Sequence, residues 1–218
     1  VEPSGVYDVD EFFDVLRDEP LDRWYKIGNV ITVVNAKLEP ELSEMSEYLL
    51  ASEAAHAGAV VLSRAEEATE EEMQATIMHL NRALEKVHCG RRLDQEIIRK
   101  GSLSLTDADF AKIQQCGYVQ ENYQKMDLIE ENSFDTVYVM ERKMTVEEIL
   151  AGMNKIFADP SCGEVFRIKG FMQEENGSWI EVNATRHELQ KQPIKEGQEI
   201  LIVIGERLQE EKIRQYLN

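Results

Sequence analysis

The chain has 218 residues, of which 42 are acidic and 24 basic, for a net charge of −18. The excess runs throughout, with 13 acidic against 4 basic residues in 1–63, 13 against 9 in 64–130 and 16 against 11 from 131 on. A surface this acidic repels phosphate backbones and anionic lipid, so nucleic acid and membrane surfaces are poor partners.

No apolar run approaches the roughly 20 residues needed to span a bilayer, and the first residues carry neither a basic region nor an apolar signal core, so a soluble protein is expected. Cys89, Cys116 and Cys162 are odd in number and widely spaced. That pattern suits reduced thiols in a cytoplasm better than a disulfide framework.

Val9, Phe12, Phe13 and Leu16 fall at i, i+3, i+4 and i+7 and predict an amphipathic helix over 8–17, with Asp8 and Glu11 at its start. Residues 29–35 (NVITVVN) are β-branched and nearly all apolar, the pattern of a strand buried on both faces. Pro40 then opens a helix to about Ala55. The run HAGAVVL (56–62) predicts a second buried strand, and Thr69-x-x-Glu72 is a capping box for a helix carrying Met73, Ile77, Leu80, Leu84 and Val87. Strands alternating with helices predict an α/β domain with a parallel sheet.

From Gly90 to Asn132 the stretches GRRLDQ, GSLSLTDAD and CGY are turn-rich, with short helices expected near Gln95 and Phe110. Beyond them the pattern changes. Residues 136–141 (TVYVME) alternate, Thr145-x-x-Glu148 caps a helix, and strands follow over 164–173, over 178–183 after an Asn176-Gly177 turn, and over 199–205. A closing helix runs from about Gln209 to Leu217. This sequence of elements predicts a small α+β domain with helices on one face of a sheet. The expected organisation is a first domain over 1–100, a connector over 101–132 and a second domain over 133–218.

The segments Glu2-Pro3-Ser4-Gly5, NVITVVNA, HAGAVVLSRAEEA and LNRAL, in that order, resemble the motifs of the CobW family of P-loop GTPases, relatives of the nickel and urease GTPase chaperones. VFRIKGFM and ILIVIGERLQEEKIRQYL resemble that family's C-terminal domain. The resemblance implies a partial P-loop NTPase domain on a parallel sheet, followed by a small α+β C-terminal domain. The family's phosphate loop, G-x-x-x-x-G-K-[ST], and its Cys-x-Cys-Cys metal motif have no counterpart in these 218 residues. The expectation is that the chain corresponds to the carboxyl two-thirds of such a protein and does not itself hydrolyse GTP.

By the same resemblance, Glu2 and Gly5 stand in a switch-like segment, where a glycine amide can meet a terminal phosphate and a carboxylate can order water. The other reading is a loop before a helix. Ser63, Arg64 and Glu66 stand where the family reads guanine. Glu66 keeps a carboxylate on a longer arm, Arg64 keeps a cation able to stack, and Ser63 replaces an amide. The other reading of SRAE is an ordinary charged exit from a strand.

His79, His88 and Cys89 invite a zinc reading, but their spacing fits no standard site, so no metal ligand is assigned. Arg167 and Lys169 share one face of a strand, either half-exposed or a basic face for an acidic partner. The resemblance implies GTP and Mg2+ in the intact protein, Zn2+ or another divalent metal through cysteines beyond this sequence, and a client metalloprotein as partner. The alternative is a protein-interaction module that has lost guanine recognition. A sheet edge left open in the first domain is expected either to pair with another copy or to leave that domain loosely ordered.

Overall fold

The computed structural model describes residues 1–3, 9–126, 134–140, 144–174 and 176–217. The chain divides into two compact units, Val1–Asp127 and Leu128–Asn218. The first is α/β and the second α+β. Among the described residues no helix is long and apolar enough to cross a membrane.

In the first unit, helix α1 (Val9–Arg17) precedes strand β1 (Ile31–Asn35), helix α2 (Glu44–His56), strand β2 (Ala59–Ser63), helix α3 (Glu70–Lys86), the two-residue strand β3 (Ile97–Ile98) and helix α4 (Asp107–Gln114). The three strands are parallel, in the order β1-β2-β3. The register sets Val33 beside Val61 and Val61 beside Ile98. Parallel neighbours require crossovers, which α2 and α3 supply.

The caps follow local chemistry. Thr69 and Glu72 form the reciprocal capping box expected for α3. At α2 the start differs from expectation: Ser43, not Pro40, caps the helix, its hydroxyl accepting from the Ser46 amide, so the segment around Pro40 remains outside the first turn.

The expectation for β1 needs correction. Thr32 and Val34 are buried, but Ile31 is 43% and Val33 63% exposed. The reason is that both crossover helices engage the same side of the strand. Thr32 donates to the Glu53 carbonyl of α2 at 2.9 Å, and Thr76 of α3 donates to the Ala36 carbonyl at 2.8 Å and accepts from the Leu38 amide at 3.1 Å. Among the described residues nothing comparable meets the Ile31 and Val33 side chains, and a strand is buried twice only when both faces are covered.

Polar side chains fix the segments that lack a strong pattern. Arg91 is buried and donates to the Ala54 and Ala55 carbonyls at 2.9 and 3.0 Å, satisfying the open end of α2. Asn81 of α3 accepts from the Leu93 amide and donates to its carbonyl. Together they hold 91–98, so that β3 forms where a short helix near Gln95 was expected. The helix expected near Phe110 is present as α4.

Residues 117–125 pack on α2 and α1. His56 Nδ1 meets the Val119 carbonyl at 3.0 Å and its Nε2 meets Asp10 at 3.2 Å, while Tyr123 donates to the same Asp10 carboxylate at 2.6 Å.

The second unit holds strand β4 (Phe134–Met140), helix α5 (Val146–Ala158), strands β5 (Glu164–Gln173), β6 (Trp179–Ala184), β7 (Leu189–Ile194) and β8 (Ile200–Glu206), and helix α6 (Glu210–Tyr216). The sheet order is β4-β8-β5-β6-β7, all antiparallel. Val139, Ile168, Val182 and Val203 on the sheet close on Met153 and Ile156 of α5 and Ile213 of α6, all at most 1% exposed. Gly170 lets the sheet approach this core, since a Cβ there would press on the Leu201 and Met172 side chains. Sequence reading missed β7. Its first five residues are exposed, and Pro193 suits an edge strand, so the strand has no apolar alternation to betray it.

Candidate functional site

The carboxyl ends of β1, β2 and β3 point the same way and gather their exit loops along one edge, the place where parallel α/β sheets bind ligands. The loop after β2 carries Ser63, Arg64 and Glu66. Ser63 closes the strand, its hydroxyl donating to the Val34 carbonyl at 3.2 Å, which stitches β2 to β1. Arg64 then takes a left-handed conformation, φ 58°, and turns the chain sharply into a short 3-10 segment, Ala65–Glu67. That reversal lifts Glu66 and Glu67 to the surface while Ala65 is buried.

Arg64 and Glu67 form a charge-assisted pair, with Nε at 3.1 Å and the terminal guanidinium nitrogen at 2.6 Å from one carboxylate oxygen. The edge of the guanidinium is therefore occupied, whereas its planar face is the part that stacks on an aromatic ring. Glu66 makes no hydrogen bond or ion pair among the described residues. It lies against Gly101 in the exit of β3: a Cβ built on Gly101 would stand 2.5 Å from its Oε2 and 3.0 Å from its Cβ. Glycine at 101 thus makes room for the Glu66 carboxylate between two exit loops.

Two further cations of this edge are matched by carboxylates. Arg99 faces Glu70 at 3.4 Å and Asp94 at 3.9 Å, and Lys100 binds Asp109 at 2.7 Å. Lys100, together with the Thr106 hydroxyl and amide, holds the Asp109 carboxyl far below the usual range. In the exit of β1, Asn35 accepts from the Lys37 amide at 2.9 Å, closing a tight Asx turn. Thr76 braces the same exit from α3, a role that its place in an apolar helical stripe did not announce.

The remaining sequence candidates lie elsewhere. Glu2 is exposed outside regular structure, and Gly5 lies outside the described residues. His79 is buried at 3% exposure and binds Glu47 at 2.8 Å, with Lys86 3.2 Å from the same Glu47 oxygen. His88 adopts φ 55° and Cys89 is buried. Among the described residues no group of three or more His, Cys, Asp or Glu side chains is arranged to hold a metal ion. Lys169 pairs with Glu181 at 2.9 Å and stands 4.8 Å from the Phe171 ring centre, and Arg167 donates to Asn183 at 2.7 Å.

No family model matches the chain, and no curated protein matches it. Two solved structures are similar to it. The Zn(II)-bound YjiA GTPase from E. coli is 15% identical at a TM-score of 0.36, over 98% of this chain and 68% of that one. A Zn(II)-bound triple mutant of YjiA GTPase is 15% identical at a TM-score of 0.35, over 97% of this chain and 67% of that one.

Proposed function

We propose that the chain belongs to a CobW-like GTP-binding protein and supplies the side of its nucleotide site that reads the base, without hydrolysing GTP itself. The observation that carries this reading is Glu66, an exposed carboxylate with no partner among the described residues, set beside Gly101 at the carboxyl edge of a parallel sheet. A carboxylate accepts from two neighbouring donors, which is what the N1–H and amino group of guanine present. Arg64, tethered by Glu67, offers its face to the ring, and the Ser63 anchor steadies the turn.

The phosphate end does not fit these residues. Arg64, Arg99 and Lys100 are each engaged by a carboxylate of the chain. The sequence also has no phosphate-loop motif. Mg2+ coordination, delivery of Zn2+ or another divalent metal, and docking to a client metalloprotein belong to the same proposal through the sequence resemblance alone.

Those same ion pairs favour a second reading, a protein-interaction module that has lost guanine recognition. Calorimetric titration with guanosine, adenosine, GTP and ATP separates the two. The first reading expects a guanine preference of at least about tenfold, or ~1.4 kcal/mol, that Glu66→Ala abolishes. Equal or absent binding of the purines supports the module, and GTP turnover by the purified chain contradicts the inactive reading.

A further inference from the structure

We infer that the groove between α3 and residues 92–99 docks a short acidic segment of a partner protein, with Arg82 and Arg92 receiving its carboxylates. The groove has a volume of about 450 Å³. Ile77 of α3 and Leu93, both buried, line its floor. The Asn81 side chain accepts from the Leu93 amide at 2.8 Å and donates to the Leu93 carbonyl at 3.1 Å, so one wall is fixed against the other before anything enters. The site is a set of side chains that two packed segments bring together on the β3 side of the sheet, and no uncovered strand takes part in it.

The groove is basic in an acidic protein. Residues 81–100 carry six basic and three acidic side chains, the reverse of the balance in the chain as a whole. Four of the six are used within the chain: Arg91 by the Ala54 and Ala55 carbonyls, Lys86 by Glu47, Arg99 by Glu70 and Lys100 by Asp109. Arg82 and Arg92 make no hydrogen bond or ion pair among the described residues, and both are exposed and line this groove. A guanidinium group recognises a carboxylate through paired N–H donors, so two unmatched guanidinium groups on one groove call for an acidic occupant.

A peptide fits the other lining residues better than a compact polyanion does. Glu85 and Asp94 share the groove with the arginines and repel a dense cluster of phosphates, whereas a peptide can turn an N–H donor towards each. Met78, one helical turn before Arg82, is 59% exposed and lines the same groove, where its flexible thioether suits an apolar side chain of the partner. From Gln74 to Glu85 the helix advances about 17 Å, which about five extended residues span. The occupant is therefore an extended segment with two carboxylates and an apolar residue. This inference does not depend on the guanine reading.

Selection of phage-displayed random heptapeptides on the full chain, followed by fluorescence anisotropy of the peptides obtained, tests it. Acidic peptides with an apolar residue are expected to be enriched, and to bind more weakly in 0.5 M KCl than in 0.05 M as salt screens the contact. The double variant Arg82→Glu, Arg92→Glu is expected to weaken their binding at least about tenfold. Because both positions are exposed, thermal unfolding of that variant should match wild type. Lys26→Glu, an equally exposed cation outside the groove, should leave binding unchanged. In the wild type the Met78 methyl resonance should shift as peptide is added, a reading that needs no variant. Selection that enriches no acidic peptides, binding indifferent to the double variant, or inorganic tripolyphosphate binding as tightly as the selected peptides overturns the inference.

Discussion

Glu53 shows how placement changes a residue's chemistry. It lies on α2, where burial raises its carboxyl to about 7 from an ordinary 4.5. A raised acid favours the fold in its neutral form, so the cost of ionising it appears as the pH rises from 4.5 towards 7 and stays constant above. Glu53→Gln removes that cost. The variant is expected to be more stable than wild type by about 1–2 kcal/mol at pH 8, with the gain vanishing near pH 4.5, as read by thermal melts across pH. A glutamate among apolar helical neighbours announces nothing of the kind in the sequence. Asp10 moves the opposite way. Burial raises its carboxyl, but the Tyr123 hydroxyl, Lys125 and His56 outweigh this and hold it below the usual range. Its helix was legible from the spacing of Val9, Phe12, Phe13 and Leu16, but its bond to Tyr123, 113 residues away, was not.

Elements read well where the signal is local. The capping boxes at Thr69 and Thr145 place the starts of α3 and α5, because the bonds that define them join residues three apart. Elements fail to read where a distant partner decides. β3 exists because Arg91 and Asn81 pin its approach, and β7 exists because β6 offers it an edge. The glycine before β2 shows how tight such a distant contact is. A Cβ on Gly58 would collide with the Gly117 and Cys116 carbonyls, where the chain returns after α4. Gly58→Ala is expected to cost about 1–3 kcal/mol in denaturant unfolding and to loosen 114–119 in hydrogen exchange. An unchanged midpoint would mean that this segment yields freely.

For the whole molecule, the net charge of −18 is a distributed load on the compact state, since carboxylates without a nearby cation repel one another. The chain is expected to melt about 2–4 °C higher in 0.5 M KCl than in 0.01 M KCl, because screening relieves that repulsion. A falling melting temperature would show that specific ion pairs such as Lys100 with Asp109 outweigh it.

Composition, periodicity and capping by themselves determined the α/β then α+β order, the helices' apolar stripes and the acidic surface, since each depends on neighbours within a turn or a strand. Only the tertiary structure decided that β1 is covered on one face, that Arg64 is held by Glu67, and that the Glu66 carboxylate rests against Gly101. Those outcomes depend on which distant segment arrives, and pairwise spacing in a single chain carries no record of that.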